Sequence, residues 1–387
     1  MDEKYGTTWV AWLQIANVIL VNSACSMMWM SAASTPLVSS EWLQASLTRT
    51  NWLSNVSAIC NSVFSVLTAW SYERFGIKAN IIFSAVINLI GCWVRYIAVA
   101  VSPDKRYFLM MLGQTISSIG GPFVYKGIAN TLGSDKIPSM LLSVAIISTV
   151  CSIPCFVLPG SPSIPPSISA DKQRMGVKEG VKHLFKNKSF WWAAILCTIN
   201  LGMVFSVSVL IIEAIAPFGY SDQQAGLASA IVVIAGYPGG ILTGYWAGKT
   251  AQHIMLIKIF TPFMVFMIPN AFGVILITCG ICGFFSYALF PLTMELACEV
   301  SYPVPEAISS SVIWSLSTAA MLIFSVIIDS LRAGPEADPP NNMKMSMIVV
   351  AVIMTIGSLP VFWLKGELKR LAVDNGLNEK KEKQENN

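Results

Sequence analysis

The sequence predicts an all-α membrane protein, and three observations carry that expectation. Of its 387 residues, 54% are hydrophobic and 12% charged, about half the charged share of a soluble domain, and the mean hydropathy is +0.62. Apolar runs of about twenty residues, the length that crosses a bilayer core as a helix, recur from one end of the chain to the other. The net charge of +4 is small but unevenly placed, with lysine and arginine gathered in a few connections. Water is not the solvent for most of such a surface.

Taken in order, the apolar runs are 9–33, 52–72, 80–101, 107–125 and 138–158. After a polar stretch come 190–216, 223–247, 254–268, 270–292, 307–330 and 344–364, with Pro269–Asn270 as the break between two tightly spaced runs. That makes about eleven spans, divided five and six around a loop. The expected organisation is an N-terminal bundle at 1–160, a basic linker at 161–189, a C-terminal bundle at 190–366 and a polar tail at 367–387. Met1–Asp2–Glu3–Lys4 is short and mixed in charge, and the apolar run after it is too long for a signal peptide.

The linker GSPSIPPSISADKQRMGVKEGVKHLFKNKSF opens with a Pro/Ser composition and then carries Lys172, Arg174, Lys178, Lys182, Lys186 and Lys188. Lysine and arginine stay on the cytoplasmic side of a membrane, so this loop is cytoplasmic. Val177, Val181 and Leu184 recur at helical spacing opposite the lysines, which predicts a short helix lying on the inner membrane surface. The same rule makes the connections at Arg74 and Lys78, at Lys249, His253 and Lys258, and after Lys365 cytoplasmic. The spans between the linker, Lys249 and the tail are even in number, as they must be. Between Lys78 and Lys172 the sequence shows three. One crossing is missing, and the defect falls on KGIANTLGSDKIP, residues 126–138: either a re-entrant element occupies that region or the chain lacks a segment there.

Nine cysteines lie scattered through the apolar runs; Cys25, Cys60, Cys92, Cys151, Cys197 and Cys279 read as packing residues and not as a disulfide framework. With two histidines, His183 and His253, there is almost no material for a histidine-based metal site or triad. An integral-membrane enzyme is disfavoured because no His cluster, Ser/Lys pair or paired midplane acids are present, and no cofactor is expected.

Between the second and third runs stands AWSYERFGIK, residues 69–78. It resembles the G-x-x-x-D-R-x-G-R/K-R/K loop of the major facilitator superfamily, with Ala69 for Gly, Glu73 for Asp, and Arg74, Gly76 and Lys78 matching. The second-half counterpart GGILTGYWAGKT keeps the glycines and Lys249 but lacks the acid. Further segments resemble the FLVCR-related family of that superfamily, whose members are associated with heme, choline and ethanolamine or vitamin B6 transport. These are INLIGCWVRY (87–96), GQTISSIGGPF (113–123), KNKSFWW (186–192) and GFFSYALFPLTMELACEVSYPVPEAISSS (283–311). The resemblance implies a major facilitator fold of two pseudo-symmetric helical bundles, twelve spans in all, with a site near the bilayer midplane. It covers most of the chain except residues near 126–137, where the family supplies the end of helix four and the whole of helix five. The run at 254–268 is also shorter than the family's ninth helix.

Glu295 and Glu299 stand one turn apart on one helix face, next to the Tyr302–Pro303 break that ends the helix. A charge in so apolar a stretch is expected to have a function. The favoured reading is a cytoplasmic ion-pair latch in which one of them holds Lys249 in one gating state. Proton coupling by two close acids, or an interfacial acid bonded to backbone, stays open. Glu73, Arg74 and Lys78 read as the first-half latch, or as a solvated turn that fixes topology. Arg95 is expected to snorkel to the outer headgroups, and Glu213 and Asp329 to sit at the outer rim.

A transport path needs polar or aromatic groups facing inward. Asn22, Ser26 and Trp29 share one face in the first span, Gln114, Ser117 and Ser118 in the fourth, and Asn200, Phe205 and Ser206 in the seventh. By resemblance, Trp29 and Phe205 stand where choline-transporting relatives place aromatics about a quaternary ammonium, Phe205 replacing a tyrosine. Packing roles for both stay open. The family's glutamines in helices five and eleven have no counterpart, although Ser317 and Thr318 stand near the latter. No Asp or Glu lies within the first-half runs, which favours facilitated diffusion or coupling through Glu295. GYPGG at 236–240 predicts a bend or a close approach in span eight.

The expected function is transport of a small organic solute (an amine, vitamin or heme-like metabolite) by alternating access. The expected protein is a monomer in the plasma membrane or a vacuolar or lysosomal membrane, with no nucleic-acid partner. The alternative is a shortened, non-transporting membrane scaffold or receptor.

Overall fold

In the computed structural model, residues 8–33, 36–120, 137–159, 175–261 and 272–373 are described. In chain order the helices are α1 (Trp9–Ala33), α2 (Pro36–Leu43), α3 (Leu47–Ile97), α4 (Pro103–Gly120), α5 (Ile137–Val157) and α6 (Val177–Lys186). The second half follows with α7 (Lys188–Ile215), α8 (Asp222–Thr250), α9 (His253–Phe260), α10 (Phe272–Ser301), α11 (Glu306–Ser330) and α12 (Lys344–Ser358). No strand occurs among the described residues.

Side-chain caps set several helix starts, since the first backbone N–H groups of a helix lack partners within it. Ser46 accepts from the Arg49 N–H ahead of α3, and Ser221 and Gln224 form a capping box at α8. Asn187 accepts from the Phe190 N–H at 3.2 Å while its amide donates to the Val300 carbonyl at 2.8 Å, tying the start of α7 to the end of α10.

Eight helices among the described residues are long and apolar enough to cross a membrane. The sequence offers more runs because α3 holds two of them. The predicted loop at 73–78 is a single-residue break at Gly76, whose φ of 77° and ψ of 171° only glycine adopts readily. α4 opens on the charged turn Asp104–Lys105–Arg106 and is not among the eight. The runs 107–125 and 254–268 extend into residues outside those described, as does most of 126–138.

Close packing in apolar surroundings depends on small residues. A Cβ on Gly91 would lie 2.5 Å from the Gly113 carbonyl oxygen, so α3 and α4 meet backbone to backbone. In the second half a Cβ on Gly239 would lie 2.3 Å from the Phe284 carbonyl oxygen, and one on Gly283 2.2 Å from that of Val232. The GYPGG segment thus serves close approach, with α8 continuous through Pro238.

The described parts of the basic connections gather at one end. α6 seats Gly180 against Val304 and Ile308 at the start of α11, and Glu73 Oε1 reaches within 3.9 Å of where a Cβ on Gly176 would stand. At the opposite end α4 begins, with the Tyr107 hydroxyl donating to the Arg49 carbonyl at 2.8 Å, and it then runs inward past Ser57 and Cys60. α5 also begins at that opposite end, where Ile137, Met140 and Leu141 pack with Leu43, Leu53 and Ala98. It finishes near the start of α1, where Gln14 donates to the Pro159 carbonyl at 2.7 Å. Among the described residues, α4 and α5 therefore run in the same direction.

Arg95 does not snorkel. It is 1% exposed, and its guanidinium donates to the Met28 carbonyl at 2.8 Å and to the Ser31 hydroxyl. The late turns of α1 supply acceptors that the sequence of α3 alone does not reveal. All nine cysteines are free, and Cys279 and Cys282, a Cys-x-x-Cys spacing on α10, are both buried.

Candidate functional site

The two halves meet chiefly along α3 and α11. Midway, Ser62 donates to the Ser315 carbonyl at 3.1 Å and Ser315 donates back to the Ser62 carbonyl. One residue away, Trp314 Nε1 donates to Asn61 Oδ1 at 3.4 Å. Beside this seam the aromatic rings form a chain. Trp29 of α1 meets Phe205 of α7 edge to face with centroids 5.6 Å apart, Phe205 meets Trp314 at 6.0 Å, and Trp314 meets Phe290 at 6.4 Å. Rings from both halves thus meet edge to face, and only if they part would their faces be open to a cationic group. Trp314 was not singled out by sequence reasoning; its place after the serine run at 309–311 was the available signal.

Asn22 is partly buried with Oδ1 lacking a hydrogen-bond partner, and Asn200, 1% exposed, donates to the Ser286 carbonyl at 3.0 Å while its own Oδ1 has none. Ser286 Oγ and Ser317 Oγ share that condition. Such buried acceptors carry a desolvation cost that a ligand or water would relieve. Ser26 is buried in α1. Gln114 and Ser117 are fully buried inside the first bundle, Gln114 donating to Ser57 Oγ at 3.1 Å with its own Oε1 unpartnered, and Ser117 donating to the Asn88 carbonyl at 3.3 Å.

At the basic end Glu295 and Glu299 do share a face, but Lys249 holds neither. Lys249 is exposed, with its ammonium 4.5 Å from the Tyr245 ring centroid. The cation in place is Arg370, from the segment after the last span. It bonds Glu299 at 2.8 Å and Glu306 at 2.7 Å and lies 3.8 Å from Glu295, while the Leu371 N–H donates to Glu299 Oε2 at 3.0 Å. Burial works against the Arg370 charge, yet the carboxylates of Glu306 and Glu299 outweigh it and raise its pKa. His253 Nε2 stands 3.3 Å from Glu295 Oε2, and that carboxylate holds the imidazole above its ordinary range. The start of the polar tail is therefore docked on α10. Glu73 and Arg74 are exposed and Lys78 is partly so.

At the other end Glu213 is no rim residue. It is 2% exposed and paired with Arg332, which also holds Asp329 at 2.7 Å, and Asn51 of the first half donates to Glu213 at 3.4 Å. Folding around Arg332 buries an acid that lies near a span end in sequence.

These features define a multi-pass integral membrane protein of two helical halves joined along one seam, with aromatic rings of both halves meeting beside it. Residues 95–326 match the family model described as Major Facilitator Superfamily, and the chain belongs to that family. Its similarity lies with the FLVCR-related members. It is 23% identical to solute carrier family 49 member A3 of Danio rerio, over 94% of this chain and 89% of the relative. It is also 23% identical to the choline/ethanolamine transporter FLVCR2 of Homo sapiens, over 94% and 81%. The alignment with the Danio rerio relative spans 421 positions, more than this chain has, so that relative carries residues absent here. Among solved structures, the D-xylose-proton symporter superposes with a TM-score of 0.61 at 14% identity, over 93% of this chain and 98% of that one. FucP in the outward conformation gives 0.60 at 10% identity, over 92% and 100%. These relatives are transporters, and membrane transport is the class of activity they support.

Proposed function

We propose that the chain carries a small organic solute with a cationic group across the membrane by alternating access. The observation that supports this most directly is the Trp29–Phe205 contact, because each ring comes from a different half. Rocking the halves apart separates the rings and opens their faces; closing them encloses whatever lies between. The relatives named as choline/ethanolamine transporters make an amine the first solute to try, ahead of a vitamin or a heme-like metabolite. In this reading Asn22, Ser26, Asn200 and Trp314 line the path with the two rings. The inner gate is Glu295, Glu299 and Arg370, with Glu73, Arg74, Lys78 and Lys249 at the matching turns.

In this reading the bundles are residues 1–160 and 190–366, the linker is 161–189 and the tail is 367–387. The span count is eleven of a twelve-span plan, and the membrane is the plasma membrane or a vacuolar or lysosomal one. Choline and ethanolamine flux into vesicles holding the purified chain tests the proposal. Flux that Trp29→Ala abolishes and Trp29→Phe partly retains supports it. No flux of any amine, vitamin or heme favours the second reading, a shortened non-transporting scaffold or receptor, for which the parallel course of α4 and α5 is the specific observation.

A further inference from the structure

At the end of the seam opposite the basic connections, a cavity of about 270 Å³ lies between α3, α7 and α11. Asn51, Trp52 and Asn55 of the first half and Ser325 and Asp329 of the second line it. The cavity therefore exists only where the two halves meet, on the same seam that carries Asn61 and Trp314 further in.

Asp329 is the charged residue of its lining, and the ion-pair group to which Asp329 belongs does not balance. Arg332 is the one cation paired with both Glu213 and Asp329 among the described residues, so two carboxylates share a single guanidinium. Both Asp329 contacts from Arg332 fall on Oδ1. Glu213 Oε1 is buried without a hydrogen-bond partner, and so is the hydroxyl of Ser325, a residue 4% exposed that lines the cavity. An excess negative charge beside a crevice attracts a cation. The volume is close to the lower limit for organic-ligand pockets, about 300 Å³, and far more than a bare alkali ion needs.

We propose that this cavity is a holding site for a small organic ammonium, met by the solute before it reaches the central rings. Asp329 faces the ammonium, Trp52 offers it an aromatic face, and Asn51, Asn55 and Ser325 take the solute's second polar group. This deepens the transport reading and rests on its cationic solute.

Equilibrium binding of radiolabelled choline to the full chain in nanodiscs tests the site. Asn55→Leu fills the cavity without touching the ion pairs, and Ser325→Val does the same if the first variant is not monodisperse. The expected result is two classes of site. The cavity variant and Asp329→Asn weaken one class about tenfold or more, the first by filling the space and the second by removing the counter-charge, while Trp29→Ala removes the other. Binding untouched by the cavity variants overturns the site and leaves the central reading standing. Binding that these variants weaken, in a protein whose flux Trp29→Ala does not change, supports the cavity and overturns the central rings. No choline binding at all, or displacement of the cavity class by sodium at equimolar concentration, overturns the site.

Discussion

Arg370 Nε stands 2.8 Å from Glu299 Oε1, so the segment after the last span is fastened to the inner end of α10. The glutamate is 4% exposed and the arginine 25%. Arg370→Ala leaves a buried carboxylate without its main partner and is expected to cost about 2 kcal/mol, read as a lower melting temperature in detergent. Exchanging the charges, Glu299→Arg with Arg370→Glu, restores part of the loss. Glu299→Lys with Lys249→Glu restores none, because Lys249 lies over Tyr245. Rescue by the second exchange and not the first would reassign the latch.

The His253–Glu295 contact is expected to respond to pH. The neighbouring carboxylate raises the histidine above its ordinary value of 6.5. A raised value means the stabilisation is fully present below that ordinary value and fades as pH climbs through the folded one. The melting-temperature gap between the wild type and His253→Gln should be widest in mild acid and close at alkaline pH. A gap that widens with pH contradicts the pairing.

Gly76→Ala isolates backbone strain. Nothing lies within 4 Å of where the new Cβ would stand, so the penalty comes from the dihedrals alone. A residue forced into this glycine region costs about 1–3 kcal/mol. Thermal melting in detergent measures the loss, and Gly248→Ala, also in open space but helical, should show none of comparable size.

Arg332→Ala should be among the most damaging single substitutions at the outer end. It strands Glu213, 2% exposed, without a counter-charge. Breaking a buried pair from one side costs about 3–5 kcal/mol. The double variant with Glu213→Gln should recover much of the loss in the same melting assay.

The fold was legible where physics is local. Apolar length gave most helices, Val177, Val181 and Leu184 gave α6, and the spacing of Glu295 and Glu299 gave their shared face. Trp29 and Phe205 were named through resemblance and meet in space. What escaped was long-range pairing. Glu299 finds its cation 71 residues away, and Arg95 finds its acceptors 67 and 64 residues back. Glu213 is buried by a loop arginine 119 residues on. Helical periodicity says which face a charge is on, and nothing about which distant element will cover that face.

If the halves rock as proposed, the reciprocal Ser62–Ser315 hydrogen bonds put the fulcrum in the middle of the α3–α11 seam. Sliding one helix past the other by even a single register would sever two bonds at once, whereas a tilt about this point keeps both. Spin labels flanking the fulcrum should hold a constant separation through the cycle, and pairs placed toward either extremity of the lever should lengthen and shorten in opposite phase.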